Sequence, residues 1–314
     1  MAEPPPRPRS RHSGNEAEDL GTDYSPVESG GELGQVVLDG LVRLLDLEKI
    51  EDDIFRGVSP KARWQRVFGG QVAGQALVAA GRTVPRDRPV HSLHSYFIRP
   101  GDPAAPIIYE VDRVRDGRSF TTRRVVAVQH GTPIFSLSAS FQLDQPGIDH
   151  QTEMPAAPPP ESLPTLEERY ADSSAAEFFK TMPRPIDLRY VDDPPWQQHA
   201  HGPRDSLARV WMRANGRLPD DPLTHVCVLT FASDMTLLDS VLVRHGLAPG
   251  IDSLSMASLD HAMWFLRPFR ADEWLLYVSQ SPSASGSRGL ATGRFYSQDG
   301  RHVASVVQEG MIRT

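Results

Sequence analysis

Asp234, Ser258 and Gln308 are three polar side chains set beside apolar runs, and each has a type that can handle a water molecule. The spacing of Met235, Leu237, Leu238, Val241 and Leu242 predicts a helix over 231–245, with Asp234 at its N-terminus. A Ser233-Asp234 pair there is either an N-cap or a carboxylate held at the positive end of a helix, where it could act as a base. In a strand, Gln308 shares a face with Val306 and Ala304, so both ends of its amide need partners. It is either a structural bridge or a holder of water. Ser258 reads as a strand-start hydroxyl, and His261, beside Trp264 and Phe265, as a packed or hydrogen-bonded residue.

Other chemistries find less support. No G-x-S-x-G elbow occurs, and Gly286-Ser287-Arg288-Gly289 is too short for one. No Walker A loop is present, and Gly69, Gly70 and Gly74 are wrongly spaced for dinucleotide binding. The pairs His91 with His94 and His199 with His201 lack a Cys or Glu companion at a ligand spacing, so neither a metal nor a cofactor is expected. The single cysteine, Cys227, lies in a strand-like apolar run and reads as a buried structural thiol in a reducing compartment. Arg118 and Arg288 occupy repeated positions, either as structural ion pairs or as groups reaching ligand phosphates.

Composition narrows the class. With 39% hydrophobic and 23% charged residues the 314-residue chain reads as globular, with room for two cores. A net charge of -7 disfavours nucleic acid as a partner. No run of about 18 apolar residues predicts a membrane span. The N-terminus has no apolar signal region and the chain ends Met311-Ile312-Arg313-Thr314, unlike Ser-Lys-Leu, so a cytoplasmic location is expected.

These residues need elements to position them. Residues 1–32 lack apolar periodicity and read as a disordered tail. A first unit is expected over 33–145. It opens on helical spacing from Val37 to Leu45, and then has a Gly- and Ala-rich helix from Phe68 to Gly81 with no polar face. That helix should be buried, its small residues allowing close approach to a sheet. Strands follow at 90–97, 107–115, 119–130 and 134–142. Prolines recur from Pro155 to Pro195, so 146–195 reads as a linker, apart from a helical piece at 162–171. A second unit over 196–314 carries all three candidates, with its folded part beginning near Ile186 or Leu207.

The second unit repeats the first. Phe231-Ala232-Ser233-Asp234 matches Phe68-Gly69-Gly70-Gln71, Leu266-Arg267-Pro268 matches Ile98-Arg99-Pro100, and Arg288 matches Arg118. The offsets are 163, 168 and 170 residues, as small loop insertions would give. Two copies of a helix followed by an antiparallel sheet define an α+β protein.

The strings Phe68-Gly69-Gly70-Gln71, His91-Ser92-Leu93-His94-Ser95-Tyr96-Phe97, Asp116-Gly117-Arg118-Ser119-Phe120, Leu259-Asp260-His261-Ala262-Met263-Trp264-Phe265 and Val307-Gln308-Glu309-Gly310 resemble the type II acyl-coenzyme A thioesterase family. The resemblance runs from about Leu41 to Arg313. It implies a double hot-dog fold, acyl-CoA as substrate, and a water held by Asp234, Ser258 and Gln308. Ser258 stands where the family often has Thr. Further association into a homo-oligomer is also implied. Gln71, where the repeat places the partner of Asp234, suggests that the first unit has lost its site. Two rivals remain at this stage: a hot-dog hydratase or dehydratase, which would want a histidine-acid pair at the helix, and a non-catalytic acyl-CoA binding protein.

Overall fold

The computed structural model describes residues 31–60, 66–171, 184–204 and 207–314. Of the expected tail, residues 1–30 lie outside the described residues, and Gly31 and Glu32 already belong to the first helix, α1 (Gly31–Leu45). Leu38, Leu41 and Leu45 of α1 are buried, each contributing about 1.5–3 kcal/mol of transfer free energy.

The first unit continues with β1 (Glu48–Glu51), β2 (Ile54–Gly57), α2 (Gly69–Gly81), β3 (Val90–Phe97), β4 (Ile107–Asp116), β5 (Phe120–Gln129) and β6 (Thr132–Gln142). The second has β7 (Ile186–Tyr190), β8 (Ala208–Ala214), α3 (Pro222–Ser233), α4 (Asp239–His245), β9 (Ser255–Ser258), β10 (Asp260–Phe265), β11 (Leu275–Ser285), β12 (Arg288–Ser297) and β13 (His302–Arg313). β7 falls inside the proline-rich stretch and pairs with β8. It begins at Ile186, one of the two starts expected for the second folded part, and alternates buried Ile186, Leu188 and Tyr190 with less buried Asp187 and Arg189.

All the strands share one antiparallel sheet in the order β1-β2-β4-β5-β6-β3-β10-β13-β12-β11-β8-β7, with β9 also on β13. The order is the same read inward from either edge, so the units are joined at β3 and β10 about a pseudo-two-fold axis. His94 pairs with Ala262 at that seam, a repeat offset of 168 residues, which equals the offset between Arg99 and Arg267. Each sheet half curls over its own helix, which is the double hot-dog architecture.

The central helices run antiparallel against each other. A Cβ on Gly70 would lie 2.4 Å from the Phe231 carbonyl oxygen, and one on Gly74 would lie 3.2 Å from that of Cys227. The glycines of α2 therefore let two helix backbones approach, while the same helix also packs on β4, β5 and β6.

The expected helix over 231–245 is corrected. α3 starts nine residues earlier, at Pro222, where Asp221 accepts the Thr224 N–H at 3.1 Å. Cys227 lies in this helix, not in a strand. Val226, Cys227, Val228 and Leu229 have the β-branched and apolar character of a strand, but burial between sheet and α2 overrides that local preference.

Candidate active site

Asp234 is the C-cap of α3, not the start of a helix. The positive helix end beside it belongs to the other unit. α2 has no acidic residue in its first turn and no side-chain cap from Phe68, and the Asp234 carboxylate lies against that turn, where the Gly70 backbone N–H helps to lower its pKa. An acid from the second unit thus supplies the acceptor that the first unit's helix lacks.

Gln308 lies where β13 changes partner. Val307 pairs with Ala262 of β10, whereas Gly310 pairs with Ser258, the last residue of β9 rather than the first of a strand. The corner is tied by the Leu259 N–H to the Glu309 carbonyl at 2.9 Å and by the Glu309 N–H to Asp260 Oδ1 at 2.7 Å. Ala304, Val306 and Gln308 share the buried face, as the alternation predicts.

At this corner the three expected residues meet. Gln308 Nε2 donates to Asp234 Oδ1 at 3.0 Å and to Ser258 Oγ at 2.7 Å. Ser258 Oγ lies 3.4 Å from the same Asp234 oxygen, a long contact. Gln308 Oε1 faces His261 Nδ1 at 2.7 Å, and His261 Nε2 lies 2.8 Å from Ser233 Oγ. Both amide hydrogens and the amide oxygen of Gln308 are therefore used, as a buried amide requires.

Burial pushes the Asp234 carboxyl above the usual carboxylate range. The His261 imidazole, the Gln308 amide, the Gly70 N–H and the Ser258 hydroxyl pull it back part of the way. A carboxylate short of solvent but supplied with donors is a stronger base than one in water.

Residues 182–311 match the sequence model of the acyl-CoA thioesterase family, and residues 60–142 match that of the acyl-CoA thioesterase N-terminal domain. Acyl-coenzyme A thioesterase 8 of Homo sapiens is 43% identical over 285 residues, covering 86% of this chain and 88% of that protein. Acyl-CoA thioesterase 2 of Haemophilus influenzae is 38% identical, with 88% of this chain and 98% of that protein covered. The crystal structure of the acyl-CoA thioesterase II TesB2 from Mycobacterium marinum superposes with a TM-score of 0.72 at 47% identity, over 87% of this chain and 97% of the other.

The chain belongs to the acyl-CoA thioesterase family.

Within this acyl-CoA thioesterase fold the first unit has an equivalent corner, and its residues differ. The counterpart of Asp234, by position on the helix, is Arg82, the C-cap of α2, and not Gln71. The repeat misleads here because α4 and its flanking turns lengthen the second unit between helix and strand. Gln71 instead donates to Ser59 Oγ at 3.0 Å and to the Val58 carbonyl at 3.2 Å. Through β3 and β10, Ser258 corresponds to Val90 and His261 to Leu93. Gln308 corresponds to Ala139, because Ser138 faces His94 as Val307 faces Ala262. None of the four equivalent positions, Arg82, Val90, Leu93 and Ala139, carries a carboxylate, amide or imidazole.

Of the other residues considered, Arg288 pairs with Glu309 at 2.8 Å on the surface, and Arg118 is exposed at the β4–β5 turn. Cys227 is fully buried and its thiol is pushed up by that burial, which makes it a poor nucleophile. Among the described residues no group of three or more His, Cys, Asp and Glu is placed to hold a metal, and no helix is long and apolar enough to cross a membrane. Sequence reasoning had not assigned Gly69, Gly70 and Ser233 to the site. The Gly69-Gly70 pair opening an otherwise helix-forming run was the available signal for the first two.

Proposed function

We propose that the protein hydrolyses fatty acyl-CoA to free fatty acid and CoA by direct attack of a water held by Asp234, Ser258 and Gln308. The observation that carries this reading is the convergence of the Gln308 amide on Asp234 and Ser258, at 3.0 and 2.7 Å, beside a carboxyl whose affinity for protons burial has raised. Family membership supports the reaction class.

In this mechanism Asp234 takes a proton from water as the water oxygen bonds to the thioester carbonyl carbon. Ser258 and Gln308 fix the direction of attack. Backbone N–H groups at the start of α2 polarise the carbonyl oxygen. The C–S bond then breaks and the thiolate leaves. A thiol with a pKa of about 8.5 needs little help from a general acid, and the proton held by Asp234 returns to solvent or to the thiolate. No covalent enzyme intermediate, metal or cofactor enters. Arg82, Val90 and Ala139 in the equivalent corner support one reacting centre per chain.

The test is thiol release from a panel of saturated acyl-CoA substrates, with wild type and Asp234→Asn compared. Release that collapses in the variant while acyl-CoA binding persists supports the reading; equal turnover by both proteins would falsify it.

A further inference from the structure

The acyl-CoA thioesterase reading accounts for Asp234, Ser258 and Gln308, but not for the side chains behind them. His261 is 1% exposed and Ser233 is fully buried. β10 turns His261, Met263 and Phe265 toward the helices, so an apolar residue would have served at 261, as Leu93 does at the equivalent place. A buried imidazole needs partners at both nitrogens.

We propose that His261 is a positioning residue: its Nδ1–H holds the Gln308 amide in the one orientation that presents nitrogen to Asp234 and Ser258. This inference rests on the water-holding reading above. An amide can be turned by half a rotation with almost no change of shape, so sterics alone do not choose between its faces. Here the surroundings choose. In the observed orientation Nε2 meets two oxygens and Oε1 meets His261 Nδ1 at 2.7 Å. Turned over, Oε1 would face the Asp234 carboxylate, acceptor against acceptor, and Nε2 would face a protonated nitrogen, donor against donor.

The ring is braced at Nε2, and its backbone and the residue that braces it are held in turn. Ser233 Oγ lies 2.8 Å from Nε2 and 2.9 Å from the Thr230 carbonyl oxygen. The His261 carbonyl accepts the Ser95 hydroxyl at 2.7 Å, so the first unit fixes the backbone that carries the ring. Tyr277 OH donates to the Ser233 carbonyl at 3.1 Å, pinning the last turn of α3, from which both Ser233 and Asp234 project. One chain of contacts thus links the end of α3 to the amide that meets Asp234.

The experiment compares His261→Leu, His261→Asn and Ser233→Ala, alone and with Gln308→Ala, with Asp234→Asn alongside and thermal unfolding measured for each. Removing the ring should lower kcat by about 10- to 100-fold, the scale of a misplaced reacting group, while KM stays within about two-fold. Asn keeps a donor near the position of Nδ1 and should recover most of that loss. Added to Gln308→Ala, the His261→Leu change should cost less than about two-fold more, because its route of action is already gone. Nitrogen NMR of the imidazole in the wild-type protein should find Nδ1 protonated.

An unprotonated Nδ1, an equal loss from His261→Leu with and without Gln308, or a loss confined to KM overturns the proposal. If His261→Leu fails to fold, Ser233→Ala and the tautomer decide it. Full activity in Asp234→Asn sinks the water-holding reading itself. A dead Asp234→Asn beside an unaffected His261→Leu sinks only the role of His261.

Discussion

Gly69 faces Asp234 so closely that a Cβ on the glycine would stand 2.7 Å from the carboxylate Oδ2. The same atom would meet the Phe97 ring at 2.9 Å. The first turn of α2 is therefore shaped around an acid from the other unit. Gly69→Ala should displace either the carboxylate or the helix start, lowering kcat/KM by about 10-fold or more and costing about 1–3 kcal/mol of stability, as overpacking does. Turnover and melting temperature check this; an alanine variant with wild-type turnover would show that the close approach does not matter.

Asp234→Asn should reduce kcat by about 10²–10⁴, the usual contribution of a general base. In the wild-type enzyme the acid limb of the kcat/KM profile should lie above the ordinary carboxylate range, since burial raises the Asp234 pKa, and activity should fall as pH drops through it. The stability effect has the opposite sign. As pH rises from the unfolded pKa to the raised folded one, the native state keeps a proton that the unfolded state loses, so stability declines across that window. Asp234→Asn should accordingly melt higher than wild type at neutral pH and equal to it near pH 3. A lower melting point at neutral pH would contradict the cause assigned to the shift.

Ser258→Thr keeps the hydroxyl that receives the Gln308 amide at 2.7 Å, and activity should stay within about three-fold. Ser258→Ala leaves one amide hydrogen of a buried glutamine without its acceptor, a cost of about 1–3 kcal/mol, so both rate and stability should drop. Parallel kinetics and calorimetry of the two variants separate these outcomes.

One site per chain is expected from the equivalent corner, where Arg82, Val90 and Ala139 replace acid, hydroxyl and amide. Titration with a non-hydrolysable thioether analogue of acyl-CoA should reach one equivalent per chain at the tight site, and Asp234→Asn should lower the total turnover of the chain by the same about 10²–10⁴. Residual turnover that disappears only on changing Arg82 would place a second centre in the first unit.

Asp239, in the first turn of α4, should make stability fall between about pH 4 and pH 8. Burial pushes its carboxyl up to about 8. Between about pH 4 and pH 8 the folded state holds a proton that the unfolded state has released, so stability falls with rising pH across that interval. Asp239→Asn should raise the melting temperature at pH 8 and leave it unchanged near pH 4. Melting curves at the two values test this, and equal shifts at both would rule out the titration.

The sequence by itself determined the two-unit plan and most strand positions, while Asp234, Ser258 and Gln308 were singled out together by the family resemblance. Those features depend on local periodicity: β5 and β6 alternate in burial along most of their length, and Gln308 falls on the face of Val306 and Ala304 whatever the rest of the chain does. Local pattern failed at α3. Its β-branched run resembles a strand, and Asp221 with Pro222 was an overlooked start signal, so Asp234 was assigned to the wrong end of a helix.

Only the tertiary structure decided what surrounds Asp234. The Gly70 N–H comes from more than 160 positions away in the chain, and the orientation of the Gln308 amide depends on His261. Neither contact follows from spacing, because helix packing and sheet register bring those groups together only once the two units have closed on each other.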